Sequence, residues 1–91
     1  MIEEKKENYI IVLDSVLKNI KLNSTDKLLL GSIYSLSIKD NICFAKNDYF
    51  ATQLNVSIRT ITSCLSSLKN RGFIYTKDIY NKRRIYVAKS I

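Results

Sequence analysis

The residues of this 91-residue chain that could do chemistry are concentrated at 57–70, where Arg59 and Lys69 sit among hydroxyls and an amide. At 100° per residue, Ile58, Ile61, Cys64, Leu65 and Leu68 point within about 60° of one direction. Arg59, Ser63, Ser66 and Asn70 point within about 40° of the opposite one, flanked by Thr60, Thr62, Ser67 and Lys69. The outward face so defined contains no acid. A helix face that merely meets water is usually laced with Glu and Lys in pairs. One Arg, small hydroxyls and an Asn suit close approach to base-pair edges: Arg bonds guanine in a bidentate way, and hydroxyls reach bases or phosphates. On this reading Arg59, Thr62, Ser63 and Ser66 read bases, while Ser57 with the free first-turn amides, Thr60 and Lys69 hold the phosphate backbone. The plainer alternative is a Ser- and Thr-rich surface helix with no ligand.

A second cluster follows. Lys77, Lys82, Arg83 and Arg84 gather around a short loop, with Tyr80 among them, and read as contacts to flanking phosphates. A charged edge strand guarding against aggregation is the alternative, but three consecutive cations exceed that need. Lys46 and Arg71, at helix ends, are further backbone contacts. The charge distribution agrees: residues 1–45 hold six Lys and six acids, whereas 46–91 hold nine basic residues against Asp48 and Asp78. The whole formal charge of +7 therefore lies in the second half, which favours a polyanionic partner.

Other chemistry lacks its parts. There is no His, no helical pair of carboxylates, no Gly-rich phosphate loop and no metal-ligand cluster, so neither an enzyme nor a cofactor, metal or small-molecule substrate is expected. Cys43 and Cys64 have no CxxC spacing and read as packed thiols in a reducing, cytoplasmic setting. The apolar run Tyr9 to Leu13 is too short for a signal peptide core or a membrane span, and no basic amphipathic stretch suits a membrane surface.

The elements that must position these residues are legible in outline. Residues 1–8 are expected to fray, Tyr9–Leu13 to form a short strand, and Asp14 to cap a brief helical turn. Asn23 and Asp26 form a capping box for a helix to about Ser37, with Leu28, Leu29, Ile33 and Leu36 recurring inward; Gly31 in it suggests a close helix approach. Ile42–Ala45 reads as a short strand. Asn47 caps a second helix with Tyr49, Phe50 and Leu54 inward, and Asn55-Val56 is a tight link with Asn in a left-handed conformation. Ser57 caps the third helix, and Gly72 ends it, with Phe73 folding back on Leu68. Strands 73–78 and 84–87 flank a loop at 79–83 whose turn type is open. The fold class is α+β: a single domain over 1–91, three helices and a small antiparallel hairpin, a winged helix-turn-helix.

The stretches Leu22-Asn-Ser-Thr-Asp-Lys-Leu-Leu-Leu-Gly, Ile42-Cys-Phe-Ala-Lys-Asn-Asp-Tyr-Phe-Ala, Leu54-Asn-Val-Ser-Ile-Arg-Thr-Ile-Thr-Ser and Leu65-Ser-Ser-Leu-Lys-Asn-Arg-Gly-Phe-Ile resemble the winged helix-turn-helix domains of bacterial plasmid replication initiators and phage replisome organisers. The resemblance covers roughly residues 9–87. It implies a double-stranded DNA partner and a role in plasmid or phage replication; related domains also serve as transcription regulators. Initiators usually carry a further C-terminal region, so a chain ending at Ile91 reads either as an isolated domain or as a stand-alone regulator of a mobile element. A homodimer on paired half-sites fits the class, although no clear seam shows. A protein-docking module using the same basic surface is the rival, and an acidic partner would satisfy it. Single-strand binding is less favoured, because most Tyr and Phe side chains are expected to pack, Tyr80 excepted.

Overall fold

Asn23 opens the first helix among the described residues, α1 (Ser24–Ser37), with the expected capping box: Asp26 N donates to Asn23 Oδ1 at 2.7 Å, and Asn23 N to Asp26 Oδ2 at 3.4 Å. The structure, a computed structural model, describes residues 18, 19 and 21–88. The expectations for residues 1–8, for a strand at 9–13 and for Asp14 as a cap lie outside the described residues. Along α1 the buried stripe is Asp26, Leu29, Leu30, Ile33 and Ser37, at helical spacing. Leu28, expected inward, falls on the opposite side of that stripe and is exposed, and Leu30 takes its place in the core. Gly31 is buried, as is its neighbour Ser32.

Helix α2 (Asn47–Leu54) buries Phe50 and Ala51. Tyr49, also expected inward, stands outside this narrow stripe, exposed, with its ring edge-on to Phe50 at 5.7 Å. Asn47 does not cap the helix; Lys46 occupies the cap position without a side-chain bond. The link to the next helix is a Schellman turn. Asn55 adopts φ 57°, Val56 N donates to Ala51 O at 3.0 Å and Asn55 N to Thr52 O at 3.3 Å, which satisfies the last carbonyls of α2.

Ser57 then caps α3 (Ile58–Asn70), its Oγ accepting from Thr60 N at 3.0 Å. The far end repeats the Schellman device: Gly72 has φ 82°, Phe73 N donates to Leu68 O and Gly72 N to Lys69 O, both at 3.0 Å. A Cβ on Gly72 would meet nothing within 4 Å, so only the left-handed backbone demands glycine. The half-buried Phe73 packs against the core that contains Leu68.

Strands β1 (Ile74–Ile79) and β2 (Lys82–Val87) pair antiparallel, with Ile74 opposite Val87, Tyr75 opposite Tyr86 and Lys77 opposite Arg84. The loop expected at 79–83 shrinks to Tyr80-Asn81, with φ 53° and 63°. Two left-handed residues make the primed turn whose twist matches a two-residue hairpin, without the usual Asn-Gly. The expected strand at 42–45 reduces to one bridge, Cys43 N to Ile85 O at 2.8 Å and Ile85 N to Cys43 O at 2.9 Å. Leu29, Leu30 and Ile33 of α1, Phe50 of α2, Ile61 and Leu68 of α3 and Ile85 of β2 meet in one core. Among the described residues, three helices followed by an antiparallel hairpin give a winged-helix architecture.

Candidate nucleic-acid interface

Core burial decides which side of α3 is free. Ile61, Cys64, Leu65 and Leu68 are buried, so Arg59, Thr62, Ser63, Ser66, Lys69 and Asn70 emerge together, all exposed. Arg59 makes no hydrogen bond or ion pair among the described residues, which leaves its planar fork of donors available. Ile58 departs from the wheel: it is 52% exposed, because a first-turn residue lies beyond the edge of the core. It adds an apolar contact surface beside Arg59 that a helical wheel alone does not show.

The hydroxyls differ in what they have left to offer. Ser57 Oγ accepts from Thr60 N and shares a 3.0 Å bond with Thr60 Oγ1, so both are largely engaged in the cap. The Thr62 hydroxyl donates to Ile58 O at 3.1 Å and accepts from Asn47 Nδ2 at 3.3 Å. It therefore presents one lone pair and a methyl group. Ser63 and Ser66 have no such partners among the described residues. The first amides of α3 remain at its positive end, where an anion is favoured.

Polar ties fix α3 against the rest. Asp26 is buried near Cys64, and burial first, then this neighbouring acid, push the Cys64 pKa up to about 12. A thiol so held stays protonated at neutral pH. Cys43 is also raised, by burial, against the smaller opposing effects of the Ala45 backbone and Arg83. Both cysteines are free and buried. The Ser32 hydroxyl, fully buried, donates to Gln53 Oε1 and locks α1 to α2.

The hairpin places its cations unequally. Lys77, Lys82 and Tyr80 are exposed. Arg83 is turned inward: Nη1 donates to Asn47 Oδ1 at 2.7 Å and Nη2 to Ala45 O at 2.7 Å. A guanidinium engaged by two internal acceptors is a strut between β2 and α2, a role beside the expected phosphate contact. Asn47, expected as a cap, is the hub: it accepts from Arg83 of the wing and donates to Thr62 of α3. No sequence signal marks that role, since the partners are distant in the chain. Arg84 is half-buried, with its guanidinium carbon 5.6 Å from the centre of the Phe44 ring.

The remaining residues fall at two clefts. Lys46 lies with Phe44, Tyr80 and Lys82 along an open groove of roughly 900 Å³ between the wing tip and the start of α2. Arg71, at the C-cap of α3, bonds Ser67 Oγ at 3.3 Å. With Lys21 it flanks a smaller cleft of roughly 320 Å³ over Asp26 and Cys64. No helix among the described residues is long and apolar enough to cross a membrane.

Residues 21–74, which include α1, α2 and α3 and reach the first residue of β1, match the family described as "Helix-turn-helix domain", which points to DNA binding. No curated protein and no solved structure matches the chain significantly.

Proposed function

The chain belongs to that helix-turn-helix family, and on this premise we propose that it is a non-catalytic protein that binds double-stranded DNA sequence-specifically. The observation that carries the reading is the acid-free outer face of α3, with an unengaged Arg59 among small side chains. In this mechanism α3 enters the major groove, which admits a helix of its width. Arg59 bonds a guanine edge, Ser63 and Ser66 approach neighbouring bases, and Thr62 with Ile58 offers methyl surface to thymine. The α3 amides with Ser57 and Thr60 lie against one phosphate stretch. Lys69 and Arg71, at the other end of the helix, and Lys46, Lys77, Lys82, Arg84 and Tyr80 take flanking phosphates. Arg83 contributes charge to that field while bracing the wing.

The process we favour is replication of a plasmid or phage in the bacterial cytoplasm. The four sequence stretches that resemble replication initiators and replisome organisers support it; control of transcription on a mobile element is the alternative. The test is selection of bound duplexes from a randomised library at near-physiological salt, with Arg59→Ala in parallel. A recurrent motif that the variant loses is the expected result, and a motif with two-fold symmetry would identify a dimer. No enrichment, with only weak salt-sensitive binding, overturns the reading in favour of docking on an acidic protein.

A further inference from the structure

The aromatic side chains are not packed as the sequence led us to expect. Phe44 is 50% and Tyr75 49% exposed, and Tyr75 stacks on Tyr86 across the hairpin, ring centres 4.9 Å apart and 9° from parallel. Side chains directly opposite in an antiparallel pair share a face, and alternate residues of a strand share it too. Tyr75 and Tyr86, Lys77 and Arg84, and Lys82 opposite Ile79 therefore lie on one face. It is the face away from Ile74 and Ile85, which are buried in the core. Phe44 joins it, since Cys43 bridges Ile85 and the Arg84 guanidinium lies against the Phe44 ring.

The outer face thus carries three rings interleaved with three cations, and no acid. Asp78 stands opposite Arg83 on the other face and borders the groove that Phe44 and Lys82 also line. None of Lys77, Lys82 and Arg84 forms a hydrogen bond or ion pair among the described residues. Cations alone would suit any polyanion. Exposed rings add a requirement that a duplex cannot meet, because its bases are stacked on each other and show only their edges. An unpaired strand offers both groups at once: phosphates for the cations and base faces for the rings. Of the stacked pair, Tyr75 is the ring exposed enough to take a base, while Tyr86 is half-buried.

We propose that the outer face of the hairpin is a second nucleic-acid site, one that takes a single strand by stacking its bases on Phe44, Tyr75 and Tyr86. This goes beyond the duplex reading: the three cations are shared with it, but Phe44, Tyr75 and Tyr86 are not assigned to duplex binding, so ring substitutions and Arg59→Ala tell the two readings apart. Fluorescence anisotropy with labelled dodecathymidylate and dodecauridylate tests it on the full chain, the two probes separating DNA from RNA as the source of the strand. Expected are binding of at least one probe, a loss of about tenfold or more in Tyr75→Ala, and no change in Arg59→Ala.

Because Tyr75 also supports Tyr86, its removal loosens the hairpin, so a second measurement uses the unmutated protein. Photo-cross-linking to an oligonucleotide carrying 5-bromodeoxyuridine should place adducts on Phe44, Tyr75 or Tyr86. No binding of either probe up to about 100 µM, the range of ordinary non-specific association, overturns the proposal. So does equal binding by Tyr75→Ala, or adducts confined to α3. Loss of duplex selectivity in Arg59→Ala with single-strand binding intact would show the two sites to be independent.

Discussion

Helix α3 and the hairpin both bear on the proposed interface, yet they divide its properties between them. The outer face of α3 has little charge and much fixed shape: Arg59 and Lys69 stand among short side chains whose helix is capped at both ends and packed inward through Ile61, Cys64, Leu65 and Leu68. The hairpin has the reverse balance. It carries Lys77, Lys82, Arg83 and Arg84 on a two-stranded sheet closed by a strained turn. A two-stranded hairpin is marginal by itself, and here Arg83 supplies the brace, through Asn47 and on to Thr62. The lesson is that discrimination and attraction need different supports. A reading surface needs rigidity, whereas a charged surface needs only to be held at the right distance.

The comparison breaks most visibly at the brace. Removing Arg83 deletes two charge-assisted hydrogen bonds in a partly buried site, each of a class that contributes about 1.5–3 kcal/mol. Because its Nε is buried without a partner among the described residues, which offsets part of that gain, Arg83→Ala should lose about 2–3 kcal/mol of unfolding stability in denaturant titrations, beyond any effect on DNA. A variant as stable as the parent would show that the wing is not held through Asn47. Next in size is Arg59→Ala, expected to weaken the preferred duplex by about 1–3 kcal/mol and to relax preference at that position, with thermal stability unchanged. Uniform weakening across sequences would instead move Arg59 to the attracting side of the division. Lys82→Ala sharpens the contrast further. It should weaken all duplexes alike and flatten the dependence of log affinity on log salt by about one unit. A salt slope equal to the parent's would remove Lys82 from the contact.

What the sequence made legible follows the same division. Caps are local, so Asn23 with Asp26, Asn55, Ser57 and Gly72 could each be assigned from a few neighbouring residues, and the structure keeps all of them. The inward stripe of α3 was equally legible, save for Ile58 at its first turn. Long-range effects were not. Arg83 looked like one more surface cation because its acceptors lie 36 and 38 residues away. Asn47 looked like a cap for the same reason. The aromatics were misjudged because period-two alternation tells which residues share a face and not which face is buried. Only the bridge from Cys43 to Ile85 fixes that orientation.

The smallest expected effect concerns the wing tip and has the most diagnostic sign. Tyr80 sits at φ 53° with 92% of its surface exposed. A residue with a Cβ in that left-handed region costs about 1–2 kcal/mol, and a side chain so exposed regains almost nothing by packing. Glycine accepts the same backbone freely but loses more entropy on folding. The balance predicts that Tyr80→Gly stabilises the protein by about 0.5–1 kcal/mol, a rise of several degrees in melting temperature for a domain of this size. If the ring contacts DNA, the same substitution weakens duplex binding, so stability and affinity move in opposite directions. A rise in melting temperature with unchanged affinity would remove Tyr80 from the interface and leave the tip to Lys82. A fall in melting temperature would mean that the ring holds the turn together, and that its left-handed conformation is supported by the hairpin rather than imposed on it.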